Sequence, residues 1–364
     1  MNNQYHIITV VGARPQFVKA AALSRAFSKN ARIKETIVHS GQHYDYNLSG
    51  GFFAELEIPS PKYNLDIGSL SHNKMIGQFL IAFDDIIDDE QPDMILVYGD
   101  TNTTSAAAIA AAKRTIPLVH VEAGLREWDK SIPEEVNKLL TDSVTDLYFS
   151  PTQTGIDNLI KVGISKNVYR TGDISLDLLY NNTKYESEES LRIKYNIEGP
   201  YAFMTCHRDA NTSDKSKLDA ILSAVSQYKG QVVFPMHPRT KAAISQYGLA
   251  DKIGKNIIVL EPLGFWETQS LLKYARIAVT DSGGIIKEAY FHKVPAIIID
   301  KQTEWIETIE EGWNVVAGPN EEKIVSLLRS HTKGKVHTNA LGDGNCGDRI
   351  TQIVLNYLDK KKQK

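Results

Sequence analysis

Short β-branched runs alternate with longer amphipathic stretches along the whole chain. "YHIITVVG" gives way to "FVKAAALSRAFSK" and then "IKETIVHSG", and the alternation returns in "MILVYGD", "AAAIAAAKR", "PLVHVEAG" and "DLYFSPT". Apolar runs too short for helices, each followed by helical spacing, predict βαβ units and a parallel sheet with helices on both faces. A polar, charge-rich stretch, "NNTKYESEESLRIKYNIEGP", interrupts the series, which restarts with "YAFMTCHR", "QVVFPMHP", "NIIVLEP", "ARIAVTDSGG" and "VPAIIID". The pattern therefore predicts two doubly wound α/β domains, residues 1–172 and 173–347, with the boundary near Gly172. The apolar spacing of "DRITQIVLNYLDKK", within 348–364, predicts a last helix that packs back on the first domain.

In such sheets ligands bind beyond the carboxyl ends of the strands. Polar residues gather there: Gly12-Ala13-Arg14, Ser40-Gly41-Gln42-His43, Gly99-Asp100-Thr101, Glu122, His207-Arg208, His237 and Asp281-Ser282. One interdomain cleft lined by all of them is the expectation.

Composition adds bounds. With 364 residues, 42% of them hydrophobic and 23% charged, the chain can bury the cores of two domains. A formal net charge of −3 leaves no electrostatic footprint for nucleic acid, so the tail "KKKQK" reads as a solvated end and any phosphate must be held locally. Cys206 and Cys346 fit no metal or redox spacing and read as free thiols of a reducing compartment, which points to the cytoplasm. "MNNQYHIITVVGARPQ" has no leader pattern and no later run is long enough to cross a bilayer, so a soluble protein without a membrane partner is expected.

Several positions carry candidate chemistry. "GARPQFVKAA" puts Arg14 on the turn after the first strand and Lys19 on the next helix. Arg14 stands where a guanidinium can fork onto phosphate or carboxylate, although a surface Arg and a snorkelling Lys fit the pattern too. The sequence is read as carrying neither GxGxxG nor GxxxxGK[ST], so neither a nicotinamide dinucleotide site nor a P-loop is expected. Asp100 ends a buried strand before a hydroxyl-rich helix start, which simple capping also explains. Glu122 directly follows an apolar strand and Glu134 opens a helix beyond a loop; a carboxylate at the end of a buried strand needs a partner or a task.

His207, beside Arg208 at a strand end, suits diphosphate recognition or proton donation to a leaving phosphate, whereas His39 and His292 read as structural imidazoles. In "VTDSGGIIKEA", Gly283 and Gly284 allow close backbone approach at a helix start whose N–H groups point outward. An anion site and a plain capped start after Asp281 fit that stretch equally. The acidic runs "FDDIIDDEQPD" and "EEGWN" have the spacing of solvated faces, so no metal site is expected from them.

Taken in order, "GARPQFVKA", "SGQHYD", "YGDTNTT", "VEAGLR", "PEE", "TGD", "HR", "PMHPRT" and "TDSGGI" with "EA" resemble the non-hydrolysing UDP-N-acetylglucosamine 2-epimerase family over essentially the whole chain. The resemblance implies the GT-B fold, two Rossmann-like domains around a central cleft, with UDP mainly on the second domain and the sugar facing the first. It implies that Ser282, Gly283 and Gly284 hold the diphosphate, that Glu288 bonds the ribose, that "EPLGFW", with Phe265, wraps the uracil, and that Arg14, His207 and Arg208 balance the charge. His43, Arg126 and His237 fall in family motifs as further substrate-binding positions. Family members eliminate UDP across C1 and C2 to give a 2-acetamidoglucal, then add it back after a proton arrives on the other face. Asp100, Glu122 and Glu134 match the family's catalytic carboxylates, and Lys19 and His207 its supporting cations. No metal and no other cofactor is implied; a UDP-sugar partner, a homodimer and a task in surface polysaccharide synthesis, such as capsule or O-antigen, are.

Departures qualify the match. The loop "EWDKSI" between Arg126 and Pro133 is short, unlike that of members activated by a second UDP-N-acetylglucosamine, and resembles the branch acting on UDP-2,3-diacetamido-2,3-dideoxyglucuronate. Ala210 replaces the acid of "HRxEN", Asp300-Lys301-Gln302 replace an Arg-Asp pair, and Asn137-Lys138 an Asn-Arg. That branch, a hydrolysing epimerase, a GT-B glycosyltransferase needing an acceptor, and an inactive nucleotide-sugar binder are the alternatives; the three carboxylates together favour the epimerase.

Overall fold

The computed structural model describes residues 4–41, 55–68, 70–180 and 184–363, so His43 lies outside the described residues, as does the side chain of Arg14. The chain divides into two compact units, Met1–Asn182 with Leu341–Lys364, and Thr183–Ala340. The division falls beyond Gly172 because Ile174–Leu176 and Asp177–Tyr180 coil into short helical turns against the helix Arg14–Ser28 of the first unit.

Each unit is built on a wholly parallel sheet. The first holds β1 (Tyr5–Val11), β2 (Ile33–His39), β3 (Tyr63–Asn64), β4 (Met94–Tyr98), β5 (Leu118–Val121), β6 (Leu147–Ser150) and β7 (Val168–Arg170), in the order β3-β2-β1-β4-β5-β6-β7. The second holds β8 (Tyr201–Thr205), β9 (Gln231–Pro235), β10 (Ile257–Leu260), β11 (Ile277–Thr280), β12 (Ala296–Ile298) and β13 (Asn314–Val316), in the order β10-β9-β8-β11-β12-β13. The strands read as nearly continuous apolar runs because helices cover both faces: Ile7, Ile8, Val10 and Val11 of β1 are all fully buried. Strand order reverses between β1 and β4, and again between β8 and β11. At such a reversal the two following turns diverge to opposite faces and leave a crevice at the carboxyl edge.

The helix Asn102–Lys113 shows how composition sets packing. Its buried face is mostly Ala106, Ala107, Ala108, Ala110 and Ala111, small enough to let it lie between the helices His72–Glu90 and Pro133–Val144. On His72–Glu90 the acidic run divides as expected, with Asp84, Asp85, Asp88 and Asp89 exposed over buried Phe83, Ile86 and Ile87. Glu90 does not join that solvated face: it pairs with Lys62 and accepts the Tyr63 hydroxyl at 2.7 Å.

The helix Cys346–Lys362 belongs to the first unit and packs along Arg14–Ser28. Asp177 accepts the Gly347 N–H at 2.7 Å, Arg349 donates to the Thr171 carbonyl at 2.6 Å, and Tyr5 donates to Asp359 at 2.7 Å. Contrary to the expectation that no GxGxxG occurs, the segment leading into this helix, Gly342 to Gly347, has that spacing; it follows no strand, so it is not the dinucleotide-binding turn. Its first glycine serves packing, since a Cβ on the facing Gly172 would stand 2.9 Å from the Gly342 Cα.

Candidate active site

In the first unit the turns after β1 and β4 are stitched by one buried side chain. Gln16 accepts the N–H groups of Gly12 and Ala13 at 2.7 and 3.0 Å and donates to the Tyr98 carbonyl at 2.8 Å and the Thr104 hydroxyl at 2.9 Å. Gly12 is required by close approach: a Cβ there would stand 2.3 Å from the Ser40 Oγ.

Beside these turns sits Glu122, whose φ of 76° lies in the left-handed region. For a residue with a side chain this costs about 1–3 kcal/mol, so the surroundings must enforce it. The N–H groups of Glu122 and Ala123 both donate to the Phe149 carbonyl, at 2.9 and 3.1 Å. The Glu122 side chain is largely covered and ion-paired with the buried Lys19. The pair lies against the β4 turn, because a Cβ on Gly99 would be 3.2 Å from Glu122 Oε2 and 3.4 Å from Lys19 Nζ. Next in the chain, Asp100 is about one-third exposed, with its carboxylate 3.6 Å from the buried Lys138 ammonium. Asn137 donates to the Asp100 carbonyl at 2.9 Å, so the "VNK" turn of helix Pro133–Val144 braces both ends of this residue.

The two acids of "PEE" have different surroundings. Glu134 is exposed in the first helical turn, whereas Glu135 is buried and accepts the Glu127 N–H at 2.8 Å, closing the short loop. The side chain of Arg126, expected as a ligand contact, is fully buried, donating to Asp142 at 2.5 Å and to the Leu125 carbonyl at 2.8 Å. Asp142 also meets His120 Nδ1 at 2.6 Å, and His120 Nε2 meets the Gly99 carbonyl at 2.8 Å. Burial would push the Asp142 carboxyl up, but the His120 and Arg126 charges beside it hold it below the ordinary value. The result is a buried polar post under the Gly99-Asp100 turn.

In the second unit Asp281 has the corresponding bracing role. Its buried carboxylate accepts the His207 N–H at 3.0 Å, the Arg208 N–H at 3.0 Å and the Asn211 side chain at 3.0 Å, with His207 Nδ1 at 3.4 Å. Asp281 is thus spent on the β8 turn, and the helix Gly283–Phe291 is capped by Ser282, whose hydroxyl accepts from the Ile285 N–H at 3.4 Å. The first bond from helix N–H to backbone runs from Ile286 to Ser282, so the N–H groups of Gly283 and Gly284 precede the ladder and point out of the helix end. Glu288 stands close by: a Cβ on Gly284 would be 3.6 Å from its Oε1.

His207 and His237 lie with ring centroids 5.7 Å apart, and His237 caps the helix Pro238–Tyr247 by accepting the Arg239 N–H at 3.1 Å. Phe265 begins the helix Phe265–Lys273, buried edge-on against Trp266. His39 and His292 have structural partners, Asn64 at 3.0 Å and Gln269 at 3.0 Å, and burial followed by the Lys273 charge lowers His292 to about 3. Among the described residues, no group of three or more His, Cys, Asp or Glu is placed to hold a metal ion, and no helix is long and apolar enough to cross a membrane.

The family profile described as UDP-N-acetylglucosamine 2-epimerase matches residues 25–355. The chain belongs to the UDP-N-acetylglucosamine 2-epimerase family. It is 40% identical to a UDP-N-acetylglucosamine 2-epimerase homolog of Methanococcus maripaludis, covering 96% of this chain and 99% of that protein. It is 37% identical to the UDP-2,3-diacetamido-2,3-dideoxy-D-glucuronate 2-epimerase of Pseudomonas aeruginosa, with 96% and 99% covered. Among solved structures, the Methanocaldococcus jannaschii UDP-GlcNAc 2-epimerase in complex with UDP-GlcNAc and UDP superposes with a TM-score of 0.88 at 36% identity, covering 96% and 99%. The two parallel-sheet units are the GT-B-like architecture of these epimerases.

Against that family background, the residues that sequence reasoning passed over are the braces. Gln16 had a signal, since it sits at the third position of the helix with a turn to satisfy before it, where a glutamine can accept the N-cap N–H as in one half of a capping box. His120 had one as well, as a lone polar side chain within a wholly buried strand.

Proposed function

We propose that the protein is a non-hydrolysing UDP-N-acetylglucosamine 2-epimerase that eliminates UDP across C1 and C2 and returns it to the opposite C2 epimer. The observation that carries this reading is the Lys19–Glu122 pair, held on strained backbone against the Gly99-Asp100 turn. The C2 hydrogen of the sugar is not next to a carbonyl, so direct removal would give an unstabilised carbanion. Elimination avoids it, provided carboxylates reach C2 and cations take up the charge of the departing diphosphate. Asp100, Glu122 and Glu134 carry the proton transfers, with Lys19 ion-paired to Glu122. UDP binds on the second unit, its diphosphate on Ser282, Gly283 and Gly284 with Arg208 and His207, its ribose on Glu288 and its uracil near Phe265; His237 completes the contacts.

A second substrate, UDP-2,3-diacetamido-2,3-dideoxyglucuronate, is favoured by the short loop after Arg126, which Glu135 closes, and by the Pseudomonas relative. Proton NMR of both nucleotide sugars with the protein in heavy water decides. A true substrate shows deuterium at C2 and a second set of anomeric signals; glycosyl transfer without C2 exchange, or no turnover of either sugar, overturns the epimerase reading.

The protein works in the cytoplasm, where its buried free thiols Cys206 and Cys346 stay reduced and nucleotide sugars for surface polysaccharides are made. It pairs as a homodimer, supported by Val136, Leu140 and Val144, exposed at successive turns along one face of the helix Pro133–Val144. Sedimentation should give a dimer for the unmodified chain and a monomer for Leu140→Asp.

A further inference from the structure

The strand order β8-β11-β12 brings Arg208, Gly283 and Asp300 to one edge of the second sheet, just past the carboxyl ends of their strands. Arg208 is gripped at both ends. Its N–H donates to the buried Asp281 carboxylate at 3.0 Å, and its Nη1 donates to Asp300 Oδ2 at 2.8 Å. Asp300 is itself fixed, because its Oδ1 accepts the Lys301 N–H at 2.7 Å. The Asp300 side chain is 17% exposed while that of Arg208 is 45% exposed, so the anchor is largely covered and the guanidinium reaches solvent. The other arm is turned to the helix start: Arg208 Nη2 lies 4.0 Å from where a Cβ would stand on Gly283, with Trp305 Nε1 at 3.8 Å from the same point.

We propose that Asp300 is a positioning residue that aims Arg208 across the Gly283 helix start at the diphosphate of a UDP-sugar, an assignment that rests on the nucleotide reading above. A guanidinium has five N–H donors, so the bond from Nη1 to Asp300 leaves donors for phosphate. An ion pair whose cation reaches solvent contributes little to stability by itself. Its effect is orientation: a side chain already confined loses less rotamer freedom when the anion arrives. The negative charge of Asp300 acts the other way, by opposing the diphosphate, and the sign of the measured effect separates the two.

The test is calorimetry of UDP binding to the full chain and to Asp300→Ala, Asp300→Asn, Arg208→Ala and the Asp300→Ala/Arg208→Ala double variant. Asp300→Ala should bind UDP on the order of three- to thirtyfold more weakly, and Asp300→Asn, which keeps an acceptor, should lose less. In the Arg208→Ala background, removing Asp300 should cause no further loss. Equal or tighter UDP binding by Asp300→Ala overturns the proposal, and so does an equal loss with and without Arg208, since a structural role would not depend on that partner. If Asp300→Ala does not fold, Asp300→Asn carries the same cycle. Failure of the unmodified chain to bind UDP overturns the nucleotide reading together with this one; binding by the unmodified chain that Asp300→Ala leaves unchanged overturns this one alone.

Discussion

Glu122 owes its place to backbone as much as to side-chain chemistry. A left-handed φ at a side-chain-bearing residue is kept only where neighbours enforce it, and here the Phe149 carbonyl, the Lys19 ammonium and the side-chain-free Gly99 all do so. If Asp100, Glu122 and Glu134 move protons at C2 or support departure of UDP, replacing each by its amide keeps shape but removes proton transfer. Turnover should fall by about 10²–10⁴-fold with UDP binding retained. Glu288→Gln should instead weaken UDP binding by roughly 1.5–3 kcal/mol and raise KM with a smaller change in kcat. Calorimetry with UDP and C2 exchange in heavy water read the two classes apart; exchange at the unmodified rate in Glu122→Gln and Glu134→Gln would remove these acids from catalysis. At this scale the sequence showed which strand ends carry charge but not which way each charge turns. Arg126 and Asp281 stand at the same kind of position as Arg208 and Ser282, yet both are buried on internal partners. Lys138 was legible only as a departure, and its proximity to Asp100 comes from helix packing that no local pattern records.

Elements were more legible, because alternation of short apolar runs and amphipathic stretches encodes βαβ units directly. Boundaries were less so, as the shift beyond Gly172 illustrates: Ile174–Leu176 and Asp177–Tyr180 are too short for a periodic signal and are placed by what they pack against. Asp177 makes that placement testable. Burial pushes its carboxyl from 3.8 up to about 6, partly offset by the Gly347 and Cys346 N–H groups. The folded state therefore holds the proton more tightly than the unfolded chain. The stabilisation this brings is complete below about 3.8 and is lost as pH rises through about 6, so at neutral pH the buried charge works against folding. Asp177→Asn keeps an acceptor for Gly347 without the charge. Its urea midpoint should exceed that of the unmodified protein at neutral pH, by an amount worth roughly 1–3 kcal/mol, with the gain vanishing towards about pH 4. A pH-independent difference would mean that Asp177 is ionised freely and ties down the last helix by geometry alone.

For the molecule as a whole, the fold class followed from the repeat of one grammar, while the candidate residues of each unit rest on the rule that crevices open where strand order reverses. That rule selects β1 with β4 and β8 with β11, the strand ends at which Gln16, Asp100, His207, Arg208 and the Ser282 cap are found. The molecule's charge balance then bears on the chemistry. With a net charge of −3, no broad positive field helps a dianionic diphosphate to bind or leave, so neutralisation must be local. On the proposed reading the local means are the Arg208 guanidinium reaching solvent, the His207 imidazole beside His237, and the two glycine N–H groups at the positive end of a helix of nine residues. A divalent cation would compete with these donors for the same oxygens and would need oxygen ligands of its own. Turnover should therefore be unchanged after exhaustive treatment with chelator and should gain nothing from added magnesium. Arg208→Ala should lose both UDP affinity and rate, and magnesium should not restore them. If chelation stops the reaction and magnesium restarts it, the cations of the second unit do not suffice and the assignment of the diphosphate to the Ser282 helix start needs a metal bridge that these residues do not provide.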